Sequence, residues 1–161
     1  MEHRISNARF SFGVITASST RTKETDTSGH RVQEILKAAG HSVGYYEVVK
    51  DDIEAIRASV LQAIIGADAV IVTGGTGITS RDVTIEAVSG ISRRELTGFA
   101  HVFAILSYSR IGTSAALSRS TAFDVAGKPV FCLPGSPGAA ALGTEEIIVR
   151  EIDHFIHELR R

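Results

Sequence analysis

Three of the four positions in Gly74-Gly75-Thr76-Gly77 are glycine, and they follow almost directly on the apolar run Ala67-Asp68-Ala69-Val70-Ile71-Val72. A near-continuous apolar stretch suits a strand buried on both faces, as in a parallel sheet covered by helices on each side. Glycines at the end of such a strand let the backbone take positive φ and come close to a ligand. Exposed N–H groups there, together with the N-terminus of a following helix, make a site for an anion. Thr76, Thr79 and Ser80 add hydroxyl donors, and Arg81 adds a fixed positive charge. The same glycines would serve a plain strand-to-helix turn, but three in four positions exceed what a turn needs.

The rest of the chain repeats the strand–turn–helix layout. Phe10, Phe12 and Val14 alternate and predict a strand from Phe10 to Ile15. A polar loop, Ser18 to Thr27, leads to a helix from Ser28 to Ala39, in which Val32, Ile35 and Leu36 share a face and Gly40 supplies the stop. Val43 to Val49 reads as a strand. Asp51 or Asp52 caps the next helix, with Ile53, Ile56, Val60 and Ile64 as its stripe. Beyond the glycine turn a helix is predicted near Asp82 and another from Gly98 to Ser107. Strands follow over Leu117 to Ala122 and Lys128 to Leu133, then a last helix from Pro137 to Leu159. Strands alternating with helices predict one α/β domain spanning residues 1–161, with a mostly parallel sheet. Ligands then bind beyond the C-terminal strand ends, where the glycine turn sits.

Composition narrows the partners. With a hydrophobic fraction of 43%, a charged fraction of 22% and a net charge of −1, the chain has the balance of a globular protein and lacks the excess of basic residues expected of a nucleic-acid binder. No apolar run has the length of a membrane span, and Met1 to Asn7 is polar without a signal-peptide core, so a cytoplasmic location is expected. The single cysteine, Cys132, lies in an apolar stretch and is expected to be a buried thiol. The six histidines show no metal-ligand spacing, and His154 and His157 read as a solvated helix face.

The glycine turn matches no common nucleotide fingerprint. A dinucleotide motif beginning at Gly75 would need glycine where Ser80 stands, and no Gly-Lys-Ser/Thr of a P-loop occurs. The hydrolase elbow also fails at Gly135-Ser136-Pro137-Gly138. Asp82 could cap or complement a helix, or hold Mg²⁺ against phosphate oxygens. Leu133-Pro134-Gly135-Ser136-Pro137-Gly138 is a second glycine-and-hydroxyl turn, in which Ser136 could equally be a plain N-cap, and Thr25-Asp26-Thr27-Ser28-Gly29 is a third. A parallel sheet would bring the first two to one edge as two walls of one pocket, and the third likewise follows a strand and enters a helix.

Taken in order, these turns resemble the MoaB/Mog family of molybdenum-cofactor biosynthesis proteins. The resemblance is carried by Asp26-Thr27-Ser28-Gly29, the stretch from Thr73 to Thr84, Leu106-Ser107-Tyr108, Ile111-Gly112-Thr113, Leu117-Ser118-Arg119 and Leu133 to Gly138. It spans nearly the whole chain, and archaeal-type MoaB sequences are the nearer variety. It implies a three-layer α/β/α sandwich with a mostly parallel sheet, assembled as a homotrimer or homohexamer. It implies Mg²⁺- and ATP-dependent adenylylation of molybdopterin with release of pyrophosphate. Gly74, Gly75, Thr76 and Gly77, with Gly135 and Ser136, would then hold the nucleotide. Asp82 and Asp52 would be catalytic, Asp82 and Asp51 would hold the metal, and Ser28, Ser107, Ser118 and Arg119 would face the pterin.

One stretch departs from the family pattern. Where many bacterial members have Pro-Gly-Phe-x-Glu-x-x-Arg, this chain has Thr97, His101 and Ala104 in place of the proline, the acid and the arginine. Glu95 is an acid close by. The departure keeps open an alternative of the same fold, a carrier or assembly protein that binds molybdopterin or nucleotide without turnover.

Overall fold

The computed structural model describes residues 7–161, so the polar stretch Met1–Ser6 lies outside the description. Six strands form one sheet: β1 (Ser11–Ala17), β2 (Ser42–Val49), β3 (Ala69–Thr73), β4 (Arg94–Glu95), β5 (Thr121–Val125) and β6 (Lys128–Leu133), in the order β2-β1-β3-β6-β5-β4. The four strands from β2 to β6 are mutually parallel, and β5 and β4 add an antiparallel margin. Helices α1 (Thr27–Ala38), α4 (Thr97–Ile111), α5 (Pro137–Gly143) and α6 (Val149–Leu159) cover one face. Helices α2 (Ile53–Gly66) and α3 (Thr84–Ser89) cover the other.

Strand alternation explains the two layers. Phe12 and Val14, Ala69 and Ile71, Phe131 and Leu133 join one core with Phe99, Phe103 and Ile152. Ile15, Val70, Val72, Val130 and Cys132 join the other with Ile56, Val60 and Val88. All of β3 is buried, as its apolar run predicts. Cys132 is buried, and desolvation pushes its thiol above the usual range. The result is the expected three-layer α/β/α sandwich.

Several boundaries differ from those read in the sequence. The strand predicted over Leu117 to Ala122 lies at Thr121–Val125, and Gly112–Leu117 is a 3-10 segment. The register is set by the two-residue turn Ala126-Gly127, both at positive φ, which joins β5 to β6 as a hairpin. Asp124 interrupts the apolar pattern there because its carboxylate accepts the Gly127 N–H at 2.8 Å. The short edge strand β4 has no apolar run to announce it. The last helix is one rod in space, with a π turn at Thr144–Ile148 where the Thr144 hydroxyl donates back to the Ala140 carbonyl at 2.8 Å. Of the two candidate caps, Asp52 caps α2 through the Ala55 N–H.

Candidate functional site

Strands β1, β3 and β6 end side by side, and their loops meet at the C-terminal edge of the sheet. The glycine turn leaves β3 with Gly74 at φ +87° and Gly75 at φ +70°. A Cβ on Gly74 would lie 2.4 Å from the Ala17 carbonyl oxygen, and one on Gly75 2.1 Å from Thr84 Oγ1. The turn from β6 packs directly on it, since a Cβ on Gly135 would lie 3.3 Å from the Gly74 Cα. Between them opens a cleft of about 360 Å³, lined by Gly74 to Gly77, Asp82, Ser107, Ser118 and Pro134 to Ser136, and closed by Ile111 and Leu117. The sequence expectation that two glycine turns wall one pocket is met.

The backbone of this turn is divided in its hydrogen bonding. Its carbonyls are taken: Thr84 Oγ1 donates to Gly74 O at 2.8 Å, Thr84 N to Gly75 O at 3.1 Å, Arg119 N to Thr76 O at 2.7 Å and Arg119 Nε to Gly77 O at 2.8 Å. The N–H of Gly74 continues the ladder to Leu133 O. The N–H groups of Gly75, Thr76 and Gly77 donate to no atom among the described residues. Free donors beside occupied acceptors give the turn a net positive face, which is an anion cradle. The helix was expected near Asp82 but begins at Thr84 and is short, so the loop amides themselves make the cradle.

Asp82 stands in that loop and lines the cleft. Its Oδ2 accepts from Thr79 N at 2.9 Å and Thr79 Oγ1 at 2.8 Å, which closes the loop. Its Oδ1 makes no hydrogen bond to a described residue. Ser107 and Ser118 also line the cleft, and Ser136 caps α5 from its rim through the Ala139 N–H. Thr76 is buried and accepts from Ser120 Oγ.

Four residues with expected roles do not line this cleft. Ser28, expected on the pterin side, is fully buried; its hydroxyl donates to Gly135 O and accepts from Arg21 Nη1 at 2.8 Å. It is a strut beneath the β6 turn, held there by these long-range bonds. Arg119 wraps the back of the glycine turn, holding Gly77 O, Asp82 O and the Glu86 carboxylate. That hydrogen bond holds the Glu86 carboxyl below its ordinary range, so the clamp persists through acidic pH until Glu86 protonates. Asp51 accepts from Ser19 N and Oγ, both at 3.0 Å, while Asp52 caps α2, and neither lines the cleft. Among the described residues no group of three or more His, Cys, Asp or Glu side chains is placed to hold a metal.

Asp26 carries more of the architecture than its place in a motif indicates. Fully buried, it accepts from Thr16 Oγ1 at 2.7 Å, Tyr46 OH at 2.6 Å and Gly29 N at 3.1 Å, and lies 4.0 Å from Arg21. Burial, then the bond to Asp26, raise the Tyr46 phenol far above its usual value. Thr16 in turn meets Thr73 at 3.0 Å, so this network fixes the β1 and β3 ends beneath the cradle. Only the Asp of Asp-x-x-Gly as an N-cap signal was available in sequence.

The chain is also similar to known proteins. Residues 13–154 match the family described as the probable molybdopterin binding domain. The chain belongs to this molybdopterin-binding family, with the MoaB and Mog proteins. It is 48% identical to the molybdenum cofactor biosynthesis protein B of Bacillus anthracis over 92% of this chain and 89% of that one, and 45% identical to its Bacillus subtilis counterpart over the same shares. A crystal structure of a molybdenum cofactor biosynthesis protein B superposes with a TM-score of 0.92 at 45% identity, covering 97% of this chain and 99% of that one. The tungsten cofactor synthesizing protein MoaB of Pyrococcus furiosus superposes at 0.88 with 38% identity, covering 97% and 100%. A role in molybdenum cofactor biosynthesis follows. No helix among the described residues is long and apolar enough to cross a membrane.

Proposed function

We propose that this chain adenylylates molybdopterin with ATP, releasing pyrophosphate. The observation that carries the reading is the trio of unengaged amides at Gly75, Thr76 and Gly77, opening into a cleft that Asp82 shares. Those amides hold the triphosphate, and Gly135 with Ser136 forms the opposite wall. Ser107 and Ser118 face the pterin. Arg119 acts by positioning: it fixes the carbonyls so that the amides face the ligand.

The terminal phosphate of molybdopterin is already an ionised nucleophile, so no general base is required. An oxygen of that phosphate forms a bond to the α-phosphorus of ATP as the bond to the β-phosphate oxygen breaks, and pyrophosphate leaves. Positioning and charge neutralisation supply the catalysis. Asp82 suits Mg²⁺, which favours one or two carboxylates plus substrate phosphates, because its Oδ1 is uncommitted beside the amides. Mg²⁺ held there supplies positive charge against the α-phosphate and the departing pyrophosphate. Roles for Asp51 and Asp52 rest on family resemblance alone.

The carrier reading has one observation in its favour: Asp82 is the only carboxylate lining the cleft among the described residues. Incubation with molybdopterin, ATP and Mg²⁺ separates the two. Adenylylated pterin and pyrophosphate in equal amounts are expected; binding of both ligands without product would leave the carrier.

A homotrimer or homohexamer belongs to the same proposal. Val102, Ile105, Tyr108 and Ile111 form an exposed apolar stripe on α4, with Ile105 70% and Tyr108 61% exposed, and Leu117 extends it. Contiguous exposed apolar surface marks an interaction face. Ile111 and Leu117 belong to both the stripe and the cleft, so a second copy seated there completes the cleft wall. Ile105→Asp is expected to give a monomer by light scattering at micromolar concentration, where the unaltered chain is an oligomer. A monomeric unaltered chain would remove this part of the proposal.

A further inference from the structure

The two glycine turns are built alike behind the cleft. On the β3 turn, Arg119 holds the carbonyls of Thr76, Gly77 and Asp82 with Glu86 as its counter-ion, while the amides of Gly75, Thr76 and Gly77 are left to the cleft. The β6 turn shows the same division. Gly135 O accepts from Ser28 Oγ and from Arg21 Nη1 at 3.2 Å, which uses both lone pairs of the carbonyl. The N–H groups of Gly135 and Ser136 donate to no atom among the described residues. The peptide joining these two residues is trans, so its C=O and N–H point to opposite sides. Fixing Gly135 O on Arg21 and Ser28 therefore turns the Ser136 N–H away from them, and Ser136 lines the cleft.

Arg21 reaches this turn from the loop after β1. Its Nη1 spans Ser28 Oγ at 2.8 Å and Gly135 O, and lies 4.0 Å from Asp26 Oδ1. Asp26 is fully buried, and Arg21 is the one cation within 4 Å of it among the described residues. The buried carboxylate thus keeps the guanidinium at the base of the β6 turn, as Glu86 keeps Arg119 at the base of the β3 turn. The loop is braced on either side of the arginine: Arg21 N donates to Ser18 Oγ at 3.0 Å, and Thr22 N to Thr25 Oγ1 at 2.9 Å. Arg21 serves a cleft wall that it does not itself line.

We propose that Arg21 is a positioning residue for the nucleotide: anchored on Asp26, it fixes the Gly135 carbonyl so that the Ser136 amide meets the triphosphate from the side opposite the β3 cradle. This role rests on the reading of ATP as substrate.

Its test compares ATP, pyrophosphate and adenosine affinities by calorimetry in the presence of Mg²⁺. Arg21→Ala is expected to weaken ATP and pyrophosphate by about tenfold, the effect of one misdirected amide on an anion, and to leave adenosine within about threefold. Millimolar guanidinium should return the variant to within about threefold of the unaltered chain, because the Arg21 side chain is 34% exposed and its place is open to a small cation. Ser28→Ala, a buried change that cannot touch the ligand, should weaken ATP by about threefold, and the double variant by no more than Arg21→Ala alone, because both act through one carbonyl. Arg21→Lys keeps a cation beside Asp26 without the planar fork, and carries the same affinity comparison should Arg21→Ala fail to fold. Unchanged ATP affinity in Arg21→Ala overturns the inference, as does a loss that guanidinium leaves in place. Additive losses in the double variant would make Arg21 a direct ligand contact and overturn it too. If these affinities follow the expected pattern and no adenylylated pterin forms, the proposed function fails and the positioning role stands.

Discussion

Asp82→Asn is expected to lower adenylyl transfer by about 10²- to 10⁴-fold while ATP and pterin affinities stay within about threefold. The substitution separates charge from shape. Asparagine retains a side-chain oxygen to accept from Thr79 N and Oγ1, which are 2.9 and 2.8 Å from Asp82 Oδ2, so the loop stays closed. The negative charge beside the amide cradle is lost, and with it the foothold for Mg²⁺. Each tenfold loss corresponds to about 1.4 kcal/mol of transition-state stabilisation, so the range asks about 3–6 kcal/mol of one carboxylate acting through a divalent ion. Stability should move by no more than about 0.5 kcal/mol, because no buried contact is broken. The decisive reading is the split between kcat and KM. A fall in kcat with KM held places Asp82 at the reaction, whereas a rise in KM with kcat held reduces it to ground-state binding. Near-normal turnover would remove it from the mechanism and favour carboxylates outside the cleft, Asp51 and Asp52 first.

How much of this was legible in the sequence depended on where the determining contacts lie. The buried strand β3 and its glycine exit were readable because both signals are local: an unbroken apolar run, then residues that accept positive φ. The convergence of the β3 and β6 turns followed from parallel topology alone. Side-chain direction did not follow, because it is set by packing across long separations. Ser28 and Gly135 are 107 residues apart, and their bond turns a hydroxyl expected to face ligand into a buried strut. Nor was it legible that Arg119, expected to face the pterin, holds with its guanidinium the carbonyls of a loop 42 and 37 residues away. Strand β5 was misplaced by four residues at its start and three at its end because Asp124 breaks the apolar pattern while serving the hairpin turn. Glu95 was visible only as an acid near an altered stretch. It lies in β4, a two-residue strand whose existence is decided by its pairing with β5.

Gly75→Val should abolish measurable nucleotide binding, a loss of at least about 100-fold or 2.7 kcal/mol in ATP affinity. The reasons are conformational and steric together. Gly75 sits at φ +70°, where a β-branched residue is strained by about 1–3 kcal/mol. A Cβ there would lie 2.1 Å from Thr84 Oγ1 and 3.3 Å from Thr84 N. Those atoms hold the Gly74 and Gly75 carbonyls, so the clash breaks the bonds that keep the neighbouring amides facing the cleft. Adding about 1 kcal/mol for a lost hydrogen bond gives a total cost near 2–4 kcal/mol, or a melting temperature lower by about 5–15 °C. Calorimetry on protein whose circular dichroism matches the unaltered chain isolates the binding effect from unfolding. Gly138→Ala is the matched control. It lies just beyond the neighbouring turn, in α5, with nothing within 4 Å of its added Cβ, and should bind ATP normally. If Gly75→Val binds ATP as well as that control does, the triphosphate is held somewhere other than the glycine turn. The assignment of the amides, and of Asp82 as their catalytic neighbour, would then fail together, because both depend on phosphate lying against Gly75.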